Sequence, residues 1–268
     1  MQAVQLSRSL CGFDSRPGAL QSSDPARSVR GSTHMTVLRD HERLVKALRH
    51  LAPRVQRSTD RAWSREPALR VIDCVLSLNR NYDLFVVPRL NRFERDFPEI
   101  HTVNDLRTKI AAYLSPDDFV RTTLDYNHEA RAVTLANVTN WLARISGRGT
   151  RDQELIKLEQ WAKNASPHNE LTSLNIRGFG LAGFQYMRML FGANTTKPDI
   201  RICEWTAQAI GHPVSPLLAL RLLEQAAPEA GVSLRDVDTT IWETLARGSH
   251  PLHKSRLPRG RGRGSTAG

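Results

Sequence analysis

The chain has 268 residues, 40% hydrophobic and 24% charged, enough for a sizeable core in one large domain or two lobes. A formal net charge of +11 and a pI near 10.3 call for an anionic partner, nucleic acid before a membrane surface. No apolar run approaches the ~18–20 residues that cross a bilayer, and the odd, scattered Cys11, Cys74 and Cys203 predict free thiols in a reducing compartment rather than a disulfide framework.

Residues 1–34 are rich in Ser, Arg, Gly and Pro and lack apolar periodicity, which predicts disorder. Arg8, Arg16, Arg27 and Arg30 outnumber Asp14 and Asp24, the bias of an organelle transit peptide; the competing reading is an over-extended start with Met35 as initiator. Val37, Leu38, Leu44, Val45, Leu48 and Leu51 then predict an amphipathic helix over Thr36 to Leu51. His41-Glu42 would open a zinc-protease motif, but Val45 stands where the second His is needed. A polar loop from Pro53 leads to a buried helix, Pro67 to Asn79, carrying Leu69, Val71, Ile72, Val75, Leu76 and Leu78.

Start signals announce the helices that follow. Thr102 to Asp105 fits a capping box before Leu106–Leu114, and Ser115-Pro116 offers an N-cap followed by Pro at the first helical position. His128 to Ile145 puts Ala130, Val133, Val138, Trp141, Leu142 and Ile145 on one face and closes at Gly147 to Gly149. Thr150 to Gln153 opens a helix with Leu155, Leu158 and Trp161, and Ser166-Pro167 starts a short one. Gly178, Gly180 and Gly183 then punctuate the chain, with Leu181, Phe184, Met187, Leu190 and Phe191 recurring at helical spacing behind them. A Gly178-Phe179-Gly180 turn leaves backbone N–H groups uncovered beside a new helix N-terminus, which suits a phosphate oxygen; the plainer reading is a turn between packed helices. Asp199, after Gly192, Asn194 and Pro198, is placed to cap Ile200–Ile210, which ends at Gly211. Ser215-Pro216 and Ser233 to Asp236 start two more helices, the last reaching Arg247. No strand alternation and no repeat occur, so the predicted fold is all-α, with a helical domain over 35–247. Lys254, Arg256, Arg259, Arg261 and Arg263 make 248–268 a basic tail, predicted disordered; without these five the chain still carries +6.

The hairpin Ile176-Arg177-Gly178-Phe179-Gly180, with Asp199 behind it, resembles the helix-hairpin-helix DNA glycosylase superfamily, whose hairpin of the form Leu-x-Gly-x-Gly precedes a chemically active Asp. The likeness covers about Leu69 to Arg247. It implies a two-lobed helical fold and a monomer that binds double-stranded DNA. Gly178, Phe179, Gly180, Leu181, Ala182 and Gly183, with Lys197 nearby, would meet the phosphate backbone. In the family the segment after the first buried helix supplies a wedge to the duplex; here Leu78, Asn79, Arg80 or Tyr82 would fill the gap left by an extruded base, against the alternative of a polar interhelical loop. Tyr126 with Arg131-Ala132 resembles a further family element, with Arg in place of Lys.

Asp199 would stabilise an oxocarbenium-like state or orient the attacking water as an N-glycosidic bond breaks. Its plain reading is a helix cap, and the two roles coexist. Bifunctional relatives use a lysine where this chain has Ala182, so a monofunctional glycosylase acting on a damaged or mispaired base is expected. The alternative is a non-catalytic DNA-binding protein with the same fold. Tyr82, Gln185 and Tyr186 are candidates for a base pocket, although most aromatics at helical spacing serve a core. No ligand spacing argues for a metal site, no iron–sulfur cluster is expected because no cysteines follow Cys203, and relatives' hairpins often hold a monovalent cation. The expected location is intracellular: cytoplasm or nucleoid in a bacterium, nucleus or organelle in a eukaryote.

Overall fold

A computed structural model describes residues 25–55 and 64–247, with side chains within 38–55 and 64–244. Of the extension expected to be disordered, or a leader, over 1–34, residues 1–24 lie outside these residues, as does the basic tail, whereas 25–34 are helical rather than disordered. The chain divides into units 1–38 and 39–268, and the packing below is that of the second. Helix α1 (Pro25–Leu51) starts well before Thr36, where the apolar pattern begins. Once a helix is nucleated, each further residue adds a hydrogen bond and needs no apolar partner, so periodicity marks the packed part rather than the whole length.

The described residues hold helices and turns and no strand: α2 (Pro67–Leu76), α3 (Val87–Asp96), α4 (Val103–Ala111), α5 (Pro116–Leu124), α6 (Glu129–Ser146), α7 (Arg151–Asn164), α8 (Thr172–Leu174), α9 (Leu181–Leu190), α10 (Ile200–Ile210), α11 (Pro216–Ala230) and α12 (Leu234–Arg247). Local side-chain chemistry sets many of their starts. Thr102 with Asp105, and Thr150 with Gln153, form reciprocal capping boxes, and Ser115 and Ser215 cap helices that open on Pro. A π turn (Tyr82–Val86) leads into α3, which is polar on average but amphipathic. They form because Val86, Leu90 and Phe93 reach the core from them, and Asn81 caps the turn by accepting from Leu84 N–H at 2.9 Å.

Two hydrophobic cores result. The first gathers α2 to α9 around α2, every residue of which is buried. Phe93, Phe119, Phe184 and Phe191 have no exposed surface, and each such side chain contributes roughly 1.5–3 kcal/mol. Gly183 sits where a Cβ would lie 3.0 Å from the Phe179 ring and 3.2 Å from Leu78, so α9 comes close to the end of α2 only because this residue is glycine. Buried Glu154 on α7 accepts from Val103 N–H, from the Asn104 carboxamide at 2.8 Å and from Ser146 Oγ at 3.3 Å, satisfying the first turn of α4 from another helix. The second core joins Leu44, Val45 and Leu48 of α1 to Ile202, Ile210, Leu222, Leu223, Leu234, Val237 and Ile241 of α10 to α12. Arg43 donates to the Ile210 carbonyl at 2.5 Å, closing α10 where Gly211 turns away at φ +91°.

The segment between α9 and α10 is tied to both cores. Buried Gln185 donates to Thr195 Oγ1 (2.9 Å), whose hydroxyl donates to Glu224 on α11 (3.1 Å). Asp238 on α12 accepts on one oxygen from Thr196 Oγ1 (2.6 Å) and from Lys197 N–H (2.8 Å). No helix of the described residues is long and apolar enough to cross a membrane.

Candidate functional site

The hairpin is helical on its second side and brief on its first. A π turn (Pro167–Leu171) runs into the single turn α8, Asn175 takes a left-handed conformation, and Phe179 N–H closes a turn onto the Ile176 carbonyl at 3.1 Å. Gly178 needs its positive φ of +80°, while Gly180 starts α9 with open space where a Cβ would stand. α9 begins with no side-chain cap, so the first-turn N–H groups of Leu181 and Ala182 have no capping side chain to accept from them. Thr134 on α6 donates to the Arg177 carbonyl at 2.9 Å and fixes the turn, leaving Arg177 exposed at its tip.

Not every expected contact residue stays on this surface. Phe179 is buried and its N–H is used, and Gly183 is buried with its carbonyl accepting from Cys74 Sγ at 3.3 Å; both serve packing rather than DNA. Leu78 is buried and cannot act as a wedge. Asn79 and Arg80 are exposed, Asn79 at φ +60°, but Arg80 is held by Tyr126, donating to its hydroxyl at 3.2 Å. Leu84, 80% exposed on the π turn, is the protruding apolar residue there, in a stretch without periodicity to mark it.

The base-pocket candidates separate. Gln185 has no exposed surface, and its amide is taken by Thr195 and by Arg188 (2.8 Å), so it holds the core together instead of reading a ligand. Tyr82 and Tyr186 come together on a residue the pattern of the chain leaves unassigned, Asp73. Its carboxylate accepts from Arg65 at 2.7 Å, from the Tyr82 hydroxyl at 2.8 Å and from the Tyr186 hydroxyl at 3.1 Å. The signal was available as one carboxylate inside an otherwise apolar run. Trp242 meets the Tyr82 ring edge-on at 6.3 Å, and the Arg201 guanidinium lies 5.0 Å from the Trp242 ring.

Asp199 adjoins this group through its loop. Its Oδ1 accepts from Arg201 N–H (3.0 Å) and Ile202 N–H (3.2 Å), so the cap predicted for α10 is present. Both bonds fall on the same oxygen. Two residues earlier, Lys197 places its ammonium 4.7 Å from the Tyr186 ring, laying the loop against α9. Asp238 beneath the loop is half-buried with its carboxyl end turned onto Thr196 and Lys197; burial of that end pushes its pKa up to about 7, against the downward pull of the two hydrogen bonds. Burial also pushes the Cys74 thiol up, which leaves it a packing residue. Among the described residues no cluster of His, Cys, Asp and Glu could hold a metal ion. Two half-open clefts lie elsewhere, along α4 and α6.

A family model described as a domain of unknown function (DUF8548) matches residues 42–246. No curated protein and no solved structure matches the chain.

Proposed function

The chain belongs to the DUF8548 family, and we propose that it is a DNA repair protein of the helix-hairpin-helix glycosylase kind, with a two-lobed fold that grips duplex DNA and hydrolyses the N-glycosidic bond of a damaged or mispaired base. The observation that carries this reading is the placement of Asp199: its loop rests, through Lys197, on the same helix whose uncapped N-terminus forms the hairpin. One carboxylate oxygen is spent on the cap, which orients the group, and the other is available to steer water or to face a developing positive charge on the sugar. Lys197 of the same loop lies over the Tyr186 ring, and the N–H groups of Leu181 and Ala182, which have no side-chain cap, supply donors for a backbone phosphate. With Ala182 in place of an amine, water is the nucleophile and the enzyme is monofunctional.

The test is base release from duplexes bearing uracil, alkylated or oxidised purines, or mismatches, read with and without alkali. Asp199→Asn keeps the cap, since Asn caps helices about as well as Asp, and lowers release by roughly 100-fold or more with duplex affinity retained. Breaks that form without alkali would rule out the monofunctional assignment. The second reading, a DNA-binding protein without chemistry, draws on one observation: two clefts along α4 and α6 are lined by residues away from Asp199. Duplex binding with no base released across the panel would favour it.

A further inference from the structure

We propose that the larger of these clefts, of about 440 Å³ between α4, α6 and the entry to the hairpin, binds a phosphate group of the nucleic-acid strand; this rests on the DNA-binding reading. α6 presents Asn137, Asn140 and Arg144 to it from successive turns of one face, and α4 presents Arg107 across from them. Asn175 and Ile176 close the side from which the chain enters the hairpin. No carboxylate lines the cleft, and among the described residues neither Arg107 nor Arg144 has a hydrogen-bond or ion-pair partner. Several arginines elsewhere in the fold are spoken for: Arg65 by Asp73, Arg70 by Leu190, Arg151 by Glu66, Arg188 by Ala162 and Gln185.

Two uncommitted guanidinium groups facing one concavity select an oxyanion, for which their forked donors are shaped, and the three carboxamides add neutral donors around it. Two further features point to a strand rather than a free ion. Thr134 on α6 fixes the hairpin turn, so cleft and hairpin are mounted on one helix and a strand gripped by the hairpin continues over α6. The second cleft shares Arg107 and Asn140 and offers Tyr113 and the fully exposed Leu114, an apolar surface suited to a base beside the phosphate.

The experiment compares R107Q/R144Q with R95Q/R121Q, a control on α3 and α5. Each double variant removes two positive charges from the net +11. Binding of a fluorescein-labelled duplex is measured across a salt series, with melting temperatures checked for equal folding. If the cleft holds strand phosphate, the groove variant loses about 0.9 of salt slope per phosphate released, up to about 1.8, and at least tenfold affinity at low salt, while the control changes little. Groove and control variants behaving alike would overturn the proposal and leave the DNA-binding reading standing. If the unmutated protein binds no duplex, inorganic pyrophosphate decides: a rise in melting temperature lost only in R107Q/R144Q supports a phosphate site fed from free phosphate compounds, and no such rise overturns it.

Discussion

A carboxylate with no accessible surface is stable only when its oxygens are satisfied, and Asp73 meets that condition with one guanidinium and two phenols. The arrangement fixes Tyr82 and Tyr186, which belong to different helical segments, in one orientation. Asp73→Asn keeps the shape but removes the charge opposite Arg65, and should lower stability by about 3–5 kcal/mol in urea unfolding, as expected when a buried pair loses one partner. Tyr186→Phe removes a single hydrogen bond to the carboxylate and should cost about 1.5–3 kcal/mol. An equal loss from both variants would mean that Asp73 does not hold the group. Residue type marks Asp73, but not its partners: Arg65 and Tyr82 flank α2 in the chain, and Tyr186 meets the carboxylate only through the packing of α2 on α9. Gln185 errs the other way: a polar side chain beside the hairpin looks like a reader until the fold buries it.

Helix starts belong to a scale where the sequence speaks clearly. The capping boxes at Thr102 and Thr150 and the cap at Asp199 depend on residues within three positions, so pattern alone places them. The start of α4 has a second, distant support in Glu154, which no local pattern contains. Glu154→Gln offers a carbonyl oxygen in place of a carboxylate and leaves one donor of the Val103, Asn104 and Ser146 set unmatched. The expected loss is about 1–3 kcal/mol, with faster amide exchange concentrated in the first turn of α4. The link from α12 to the Asp199 loop carries a pH signature. Because the Asp238 pKa is raised above the ordinary 3.8 to about 7, its contribution to stability is complete below about pH 4 and is lost as pH climbs through 7. Asp238→Asn keeps an acceptor for Thr196 and Lys197 without the charge. The stability of the variant relative to the unmutated protein, followed by melting temperature and urea unfolding, should therefore rise from pH 5 to about pH 7, by at most about 1.4 kcal/mol per pH unit, and level off above it. A flat difference would mean that the carboxyl end is not buried.

For the whole molecule, composition and periodicity anticipate an all-helical chain, and the segment order follows the predicted starts except at the π turn and α3, which no predicted start announces. What they leave open is which helices share a core: α1 packs with α10 to α12 across the full length of the first core, an association between chain ends that no local signal encodes. The join between the cores is the Thr195 to Asp199 segment, whose hydroxyls and backbone N–H reach Gln185 on one side and Glu224 and Asp238 on the other. Such a join makes heat uptake cooperative. Scanning calorimetry of the intact protein should give a single endotherm, and Thr195→Val with Thr196→Val should broaden it or divide it in two. The loop that presents Asp199 would then be the seam at which the protein first comes apart.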